Sequence, residues 1–264
     1  MPAAMRVAAA QTCSLPGGPA ANIGNHLRFA EAAASEAVQL LVFPELSLTG
    51  YDLPSLAGWA AEPGDALFAP LREAARRHGM TLVVGSAARP QGGDGRPGIG
   101  AFTFLPDGGT RIYRKRHLHP GEELHAAPGG EDAHVHAISG LPVALAVCAD
   151  IGHEPHGDLA RQAGAELYAA GIVMSDRGQA QDTASAQGHA QRCGMAVLTA
   201  NHGAPTGGYA CVGRSAFWAP GGKRLAEADG GGDWLVIAER GAGDGDGDGD
   251  GGCSWSAWAR AVAP

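Results

Sequence analysis

Leu141-Pro142-Val143-Ala144-Leu145-Ala146-Val147-Cys148 runs directly into Ala149-Asp150-Ile151-Gly152. An apolar run that meets a thiol and then a polar, glycine-bearing turn reads as a buried strand stopping at a cysteine. In α/β folds such strand tips are where chemistry is carried. Two other stretches are punctuated in the same way. Leu40-Leu41-Val42 runs into Phe43-Pro44-Glu45, and the short strand ending near Tyr113 runs into Arg114-Lys115. A carboxylate, an ammonium and a thiol at three strand ends are the groups a cysteine nucleophile needs.

Outward from these stretches, strand and helix signals alternate. Strands are expected at Arg6–Gln11, Leu40–Phe43, Thr81–Ser86, Pro142–Cys148, Glu166–Ala169, Ala196–Ala200 and Trp234–Glu239. Helices are expected from Asn22, read as an N-cap, and over Leu67–His78, Glu154–Gln162 and Gln179–Arg192. Pro106-Asp107-Gly108-Gly109, Ser139-Gly140 and Ala219-Pro220-Gly221-Gly222 each separate two strand signals, as hairpin turns do. Strand–helix units mixed with hairpins imply a layered α/β sandwich rather than a purely parallel sheet. No linker divides the chain. Gly241–Gly252 is a low-complexity Gly/Asp stretch before an apolar tail.

The chain has 264 residues, 45% of them hydrophobic, and a formal charge of −8. That length and apolar content suffice for one large core. The negative charge argues against a nucleic-acid binder and against binding to an anionic membrane surface. Five cysteines (13, 148, 193, 211 and 253) are an odd number without a CxxC pair, so neither a disulfide framework nor a structural zinc site is expected. The run after Arg6 is too short for a signal peptide, and no stretch reaches the length of a membrane span. The expected setting is soluble and cytoplasmic.

Five segments carry a family resemblance. They are Leu41-Val42-Phe43-Pro44-Glu45-Leu46-Ser47-Leu48-Thr49-Gly50-Tyr51, Tyr113-Arg114-Lys115-Arg116-His117-Leu118, Val147-Cys148-Ala149-Asp150, Ala200-Asn201-His202-Gly203 and Gly213-Arg214-Ser215-Ala216-Phe217. In this order the chain resembles the nitrilase superfamily of carbon–nitrogen hydrolases, in its amidase-like branch, over nearly its whole length. The resemblance implies a single-domain α/β fold, a four-layer α-β-β-α sandwich, with the hydrolase domain over residues 1–240 and a tail over 241–264. It implies a Glu–Lys–Cys triad: Glu45 as general base, Lys115 as cationic stabiliser and Cys148 as nucleophile. A second glutamate is implied shortly before Pro128-Gly129, Glu122 in preference to Glu123. Ala149 would offer its backbone N–H to the oxyanion. The implied reaction is hydrolysis of a small amide through a thioester, with no metal or organic cofactor, by a homodimer or larger homo-oligomer. Nitrile hydrolysis, acyl transfer to an amine, and an idle binding or assembly subunit remain open.

Three positions depart from the family pattern. Ala149 stands where many relatives carry an aromatic residue. Glu154 precedes Pro155 where Pro-Glu is common, and Leu167-Tyr168-Ala169-Ala170-Gly171 replaces a common Asn-Pro. These differences leave the substrate-binding residues and the substrate open. His117, His119 and His125 lack diagnostic metal spacing and read as surface or pocket histidines. His134 and His136 read as two residues on one strand face. Asp244, Asp246 and Asp248 match the first half of a calcium loop, but Trp255 stands where its bidentate glutamate belongs. Trp255 and Trp258 suggest a partner surface.

Overall fold

The computed structural model describes residues 4–90, 95–130, 135–241 and 254–263. In chain order its elements are β1 (Met5–Gln11), α1 (Pro19–Ala34), β2 (Leu40–Val42), α2 (Leu56–Trp59), α3 (Ala69–His78), β3 (Thr81–Ala88), β4 (Gly98–Phe104) and β5 (Thr110–Arg114). The chain continues with β6 (Val135–Ile138), β7 (Leu141–Val147), α4 (Glu154–Gln162), β8 (Leu167–Gly171), α5 (Gln179–Cys193), β9 (Ala196–Ala200), β10 (Ala216–Trp218), β11 (Arg224–Glu227), β12 (Trp234–Arg240) and β13 (Trp255–Ala261). One sheet has the order β13-β12-β1-β2-β3-β4-β5, and the other β11-β10-β9-β8-β7-β6.

Alternation along the strands builds the layers. Val7 and Ala9 of β1 face the inter-sheet core, which also holds Val143, Leu145 and Val147 of β7. Their neighbours Ala8 and Ala10 face the opposite way, into a core with Phe29 and Ala30 of α1 and Leu71 and Ala75 of α3. On the second sheet, Ala144 and Ala146 of β7 pack with Ala160 of α4 and Ala186 and Ala190 of α5. The order is therefore α-β-β-α, as the resemblance implies. Strands apolar on both faces read as continuous hydrophobic runs because neither face meets water.

Strand sense decides where the site lies. β1, β2 and β3 run parallel to one another, while β4 is antiparallel to both β3 and β5. Two reversals return β5 to the direction of β3, so β2 and β5 end along the same edge of their sheet. β7, β8 and β9 are parallel in the other sheet.

Two expectations change. Asn22 is not an N-cap: Pro19 opens α1 behind Gly18, and Asn22 is buried one turn in. Its side chain bonds the backbone of Leu15, Gly18 and Leu48, a local network that propensity alone does not reveal. Residues 255–261 form β13 at the edge of the first sheet, paired with β12 from Trp234↔Ala261 to Arg240↔Trp255. Within the chain, Trp255 packs on Phe217 at 4.9 Å and the Arg6 guanidinium lies over Trp258, and both rings stay partly exposed. His134, Cys253 and the calcium-loop aspartates lie outside the described residues. Among the described residues no helix is long and apolar enough to cross a membrane.

Candidate active site

β2 ends at Val42, and the chain then turns through Phe43-Pro44-Glu45. The turn is held from both sheets. Phe43 donates its N–H to Val83 of β3, and Leu48 donates to Gly85 at 2.9 Å. A side chain at Gly85 would meet the Pro44 carbonyl at 2.2 Å, and one at Gly171 of β8 would meet the Phe43 carbonyl at 2.6 Å. Glycine at both positions lets two strands close on the turn. His202, which burial pulls down to about 4 and so keeps neutral, donates Nε2–H to the Glu45 carbonyl at 2.7 Å.

Lys115 follows β5 directly. Its N–H donates to Ile99, and its carbonyl accepts from Gly129 at 2.7 Å. The side chain is fully buried, and Nζ donates to Glu45 Oε1 and Glu122 Oε1, each at 2.7 Å. Glu122 also accepts from the Tyr51 hydroxyl at 2.5 Å and from the His119 N–H at 2.7 Å. Glu123 instead accepts from the N–H of Gly121 at the surface. The structure thus brings Glu45, Lys115 and Glu122 together and leaves Glu123 outside.

One cation between two carboxylates shapes the electrostatics. Burial pushes Glu45 up to about 7, with Lys115 opposing and Glu122 reinforcing the rise. Burial alone would lower the Lys115 ammonium, but the charges of Glu45, Cys148 and Glu122 outweigh it and hold it well above the usual lysine range. Glu45 Oε2 is buried without a hydrogen-bond partner, although the Cys148 thiol is near enough to act on this carboxyl. An unpaired buried acceptor beside a thiol is a group ready to take a proton.

Cys148 stands at the tip of β7 with φ at 44°, the left-handed region that side chains avoid. A cost of about 1–3 kcal/mol attaches to such a residue, so its surroundings must impose the conformation. Asp150 does much of this. Its Oδ2 accepts from the Val147 N–H at 3.0 Å and the Tyr113 hydroxyl at 2.6 Å. Its Oδ1 accepts from the N–H groups of Arg116 and His117 at 3.2 and 2.9 Å. One buried carboxylate therefore ties the cysteine turn to the chain just past Lys115. Behind it, His156 is pulled down to about 4 by burial and sits between the Tyr113 and Tyr168 hydroxyls, at 2.9 and 2.8 Å. Burial and the Glu45 charge push the Cys148 thiol well above its ordinary range, and its Sγ lies 3.9 Å from the Val173 carbonyl. Ala149 follows in the 3₁₀ turn Cys148–Gly152, whose first amides lack acceptors within the turn.

Asp150→Asn is expected to lower both stability and turnover. An amide would aim N–H groups at donors that now meet an acceptor, costing about 1–3 kcal/mol for each buried donor left unpaired. Urea unfolding alongside kcat measures both. Unchanged values for both would remove Asp150 from this role.

A carbon-nitrogen hydrolase family model matches residues 6–244. The chain belongs to the carbon–nitrogen hydrolases of the nitrilase superfamily. Among solved members it is similar to a cysteine-to-alanine mutant of the Nesterenkonia AN1 amidase, at 27% identity and a TM-score of 0.79 over 90% of each chain. Another structure of that amidase carries the acetamide moiety of fluoroacetamide covalently on its active-site cysteine, with 27% identity, a TM-score of 0.78 and coverage of 88% of this chain and 89% of that one. The chain is 33% identical to the 2-oxoglutaramate amidase of Bacillus subtilis over 140 residues, 51% of this chain. It is 35% identical to a Mycobacterium tuberculosis hydrolase over 174 residues, 62% of this chain. These matches span only 52% and 60% of the two curated hydrolases' own lengths.

Sequence reasoning assigned no role to Tyr51, Tyr113, Asp150, His156, Gly85 or Gly171. Tyr51, Tyr113 and Asp150 lie inside the motif segments, where their closeness to Glu45, Lys115 and Cys148 was the available signal. The others reach the site only through folding.

Proposed function

We propose that this carbon–nitrogen hydrolase cleaves a small amide through a thioester on Cys148, releasing a carboxylate and ammonia or an amine. The observation that carries the reading is the buried Glu45–Lys115–Glu122 cluster, bonded at 2.7 Å and set beside a cysteine in a left-handed strand-tip turn. Glu45 takes the thiol proton as sulfur attacks the carbonyl carbon. The oxygen becomes an anion, held by Lys115 Nζ–H and the N–H of Ala149. Glu45 then gives its proton to the departing nitrogen as the C–N bond breaks. Water deprotonated by Glu45 or Glu122 attacks the thioester, and the carboxylate leaves as Cys148 regains its proton. Glu122 holds Lys115 in place throughout, with Tyr51 and His119 holding Glu122.

Intact-protein mass after mixing with small amides tests this. An acyl adduct on the wild type, absent from Cys148→Ala, supports it, and added amine acceptors separate hydrolysis from acyl transfer. No adduct and no ammonia across the amides would sink it.

The pH dependence carries a sign. Glu45 must be ionised to accept the thiol proton, and its carboxyl sits at about 7. The acidic limb of kcat/KM is therefore expected to fall about tenfold per pH unit below an apparent pKa near 7, one that belongs to the coupled cluster. A profile flat from pH 5 to 8 would contradict this.

We further propose a homodimer or larger homo-oligomer, checked by light scattering, and a reducing cytoplasmic setting. Cys13, Cys148, Cys193 and Cys211 are all free, which suits that compartment.

A further inference from the structure

We propose that the cleft beside Tyr51 receives the non-reacting part of the substrate, and that the substrate is an uncharged amide with a bulky apolar or aryl group. This rests on the hydrolase reading above and deepens it. The cleft has a volume of about 820 Å³, with Leu53, Trp59 and Tyr209 among its apolar walls. Cavities of roughly 300–1,000 Å³ accommodate drug-sized ligands, so a short-chain amide would leave most of this one to water.

Two walls tie the cleft to the chemistry. Tyr51 lines it and donates its hydroxyl to Glu122, the partner of Lys115. Tyr209 lies edge-on to Tyr51, with ring centroids 5.3 Å apart. Two residues beyond it, the Cys211 backbone pairs antiparallel with Ser175, just past the Val173 carbonyl that faces Cys148 Sγ. On this assignment the substrate's carbonyl sits at Cys148 and its remainder runs past Tyr51 into the cleft.

The charges select the class. Among the described residues no lysine or arginine lines the cleft; its ionisable side chains are Asp52, His125, Tyr51 and Tyr209. From α5, Asp182 adds a negative field at Cys148. A carboxylate on the acyl chain would be stripped of water with no fixed cation opposite, at substantial cost. An amide with a second acidic group, such as the 2-oxoglutaramate in the Bacillus relative's name, is disfavoured here.

Initial rates of ammonia release by the full chain from acetamide, 3-phenylpropionamide and succinamate test the inference. kcat/KM for 3-phenylpropionamide is expected to exceed both others by at least about tenfold. Trp59→Ala is expected to narrow its lead over acetamide. If acetamide or succinamate matches 3-phenylpropionamide, the cleft assignment is overturned while the hydrolase reading stands. If no amide releases ammonia or leaves an adduct on Cys148, the hydrolase reading falls and the assignment with it.

Discussion

Cys148→Ala is expected to cut amide turnover on the order of 10⁶-fold, the scale seen when a covalent nucleophile is removed from an otherwise intact site. The loss should be confined to chemistry. The thiol lies 3.9 Å from the Val173 carbonyl and beside the Glu45 carboxyl, weak contacts whose loss costs the fold little. Alanine keeps the Cβ and bears the same left-handed backbone, so stability should stay within about 1 kcal/mol. Glu45, Lys115 and Glu122 keep their mutual bonds, and ground-state binding of an amide should survive. Ammonia release, intact mass and thermal unfolding together decide the matter. Turnover near the wild-type rate would mean that another group attacks the carbonyl.

Lys115→Ala is expected to damage stability and turnover together. Glu45 and Glu122 are buried and share Lys115 as their common ion-pair partner. Removing one member of a buried ion pair costs about 3–5 kcal/mol, because charge is left without a partner. Lys115 also holds down the pKa that burial raises on Glu45. Without it the base carries a proton at neutral pH. The oxyanion loses a donor as well, a loss that alone costs about 10²–10³ in kcat. Adding Glu122→Gln removes one stranded carboxylate and should recover part of the stability without restoring turnover. Urea unfolding and kcat on the single and double variants separate the two effects. A Lys115→Ala enzyme with normal kcat, or a double variant with restored kcat, would refute the role given to the lysine.

Much of this was legible in the sequence because strands buried on both faces announce themselves as apolar runs. Leu40–Val42 and Leu141–Val147 could be read that way, and the residues that end them were conspicuous for being polar behind such runs. Lys115 stood among Arg111, Arg114 and Arg116, and only motif register singled it out. Other features depended on long-range contact. Asp150 reads as an ordinary turn residue until Arg116, His117 and Tyr113 are folded against it. Trp255–Ala261 was hidden by the Gly/Asp stretch before it, since an edge strand needs a partner strand to define it. Asn22 misled because its residue type favours helix starts, whereas Pro19 had already begun the helix.

The turn that carries Glu45 is gripped by Gly85 from one sheet and by Gly171 from the other. Neither sheet can set the base in place without its counterpart. Glu45 therefore meets Lys115 and the Cys148 thiol only where the two sheets close on one turn, so its placement is a property of the whole sandwich rather than of either half.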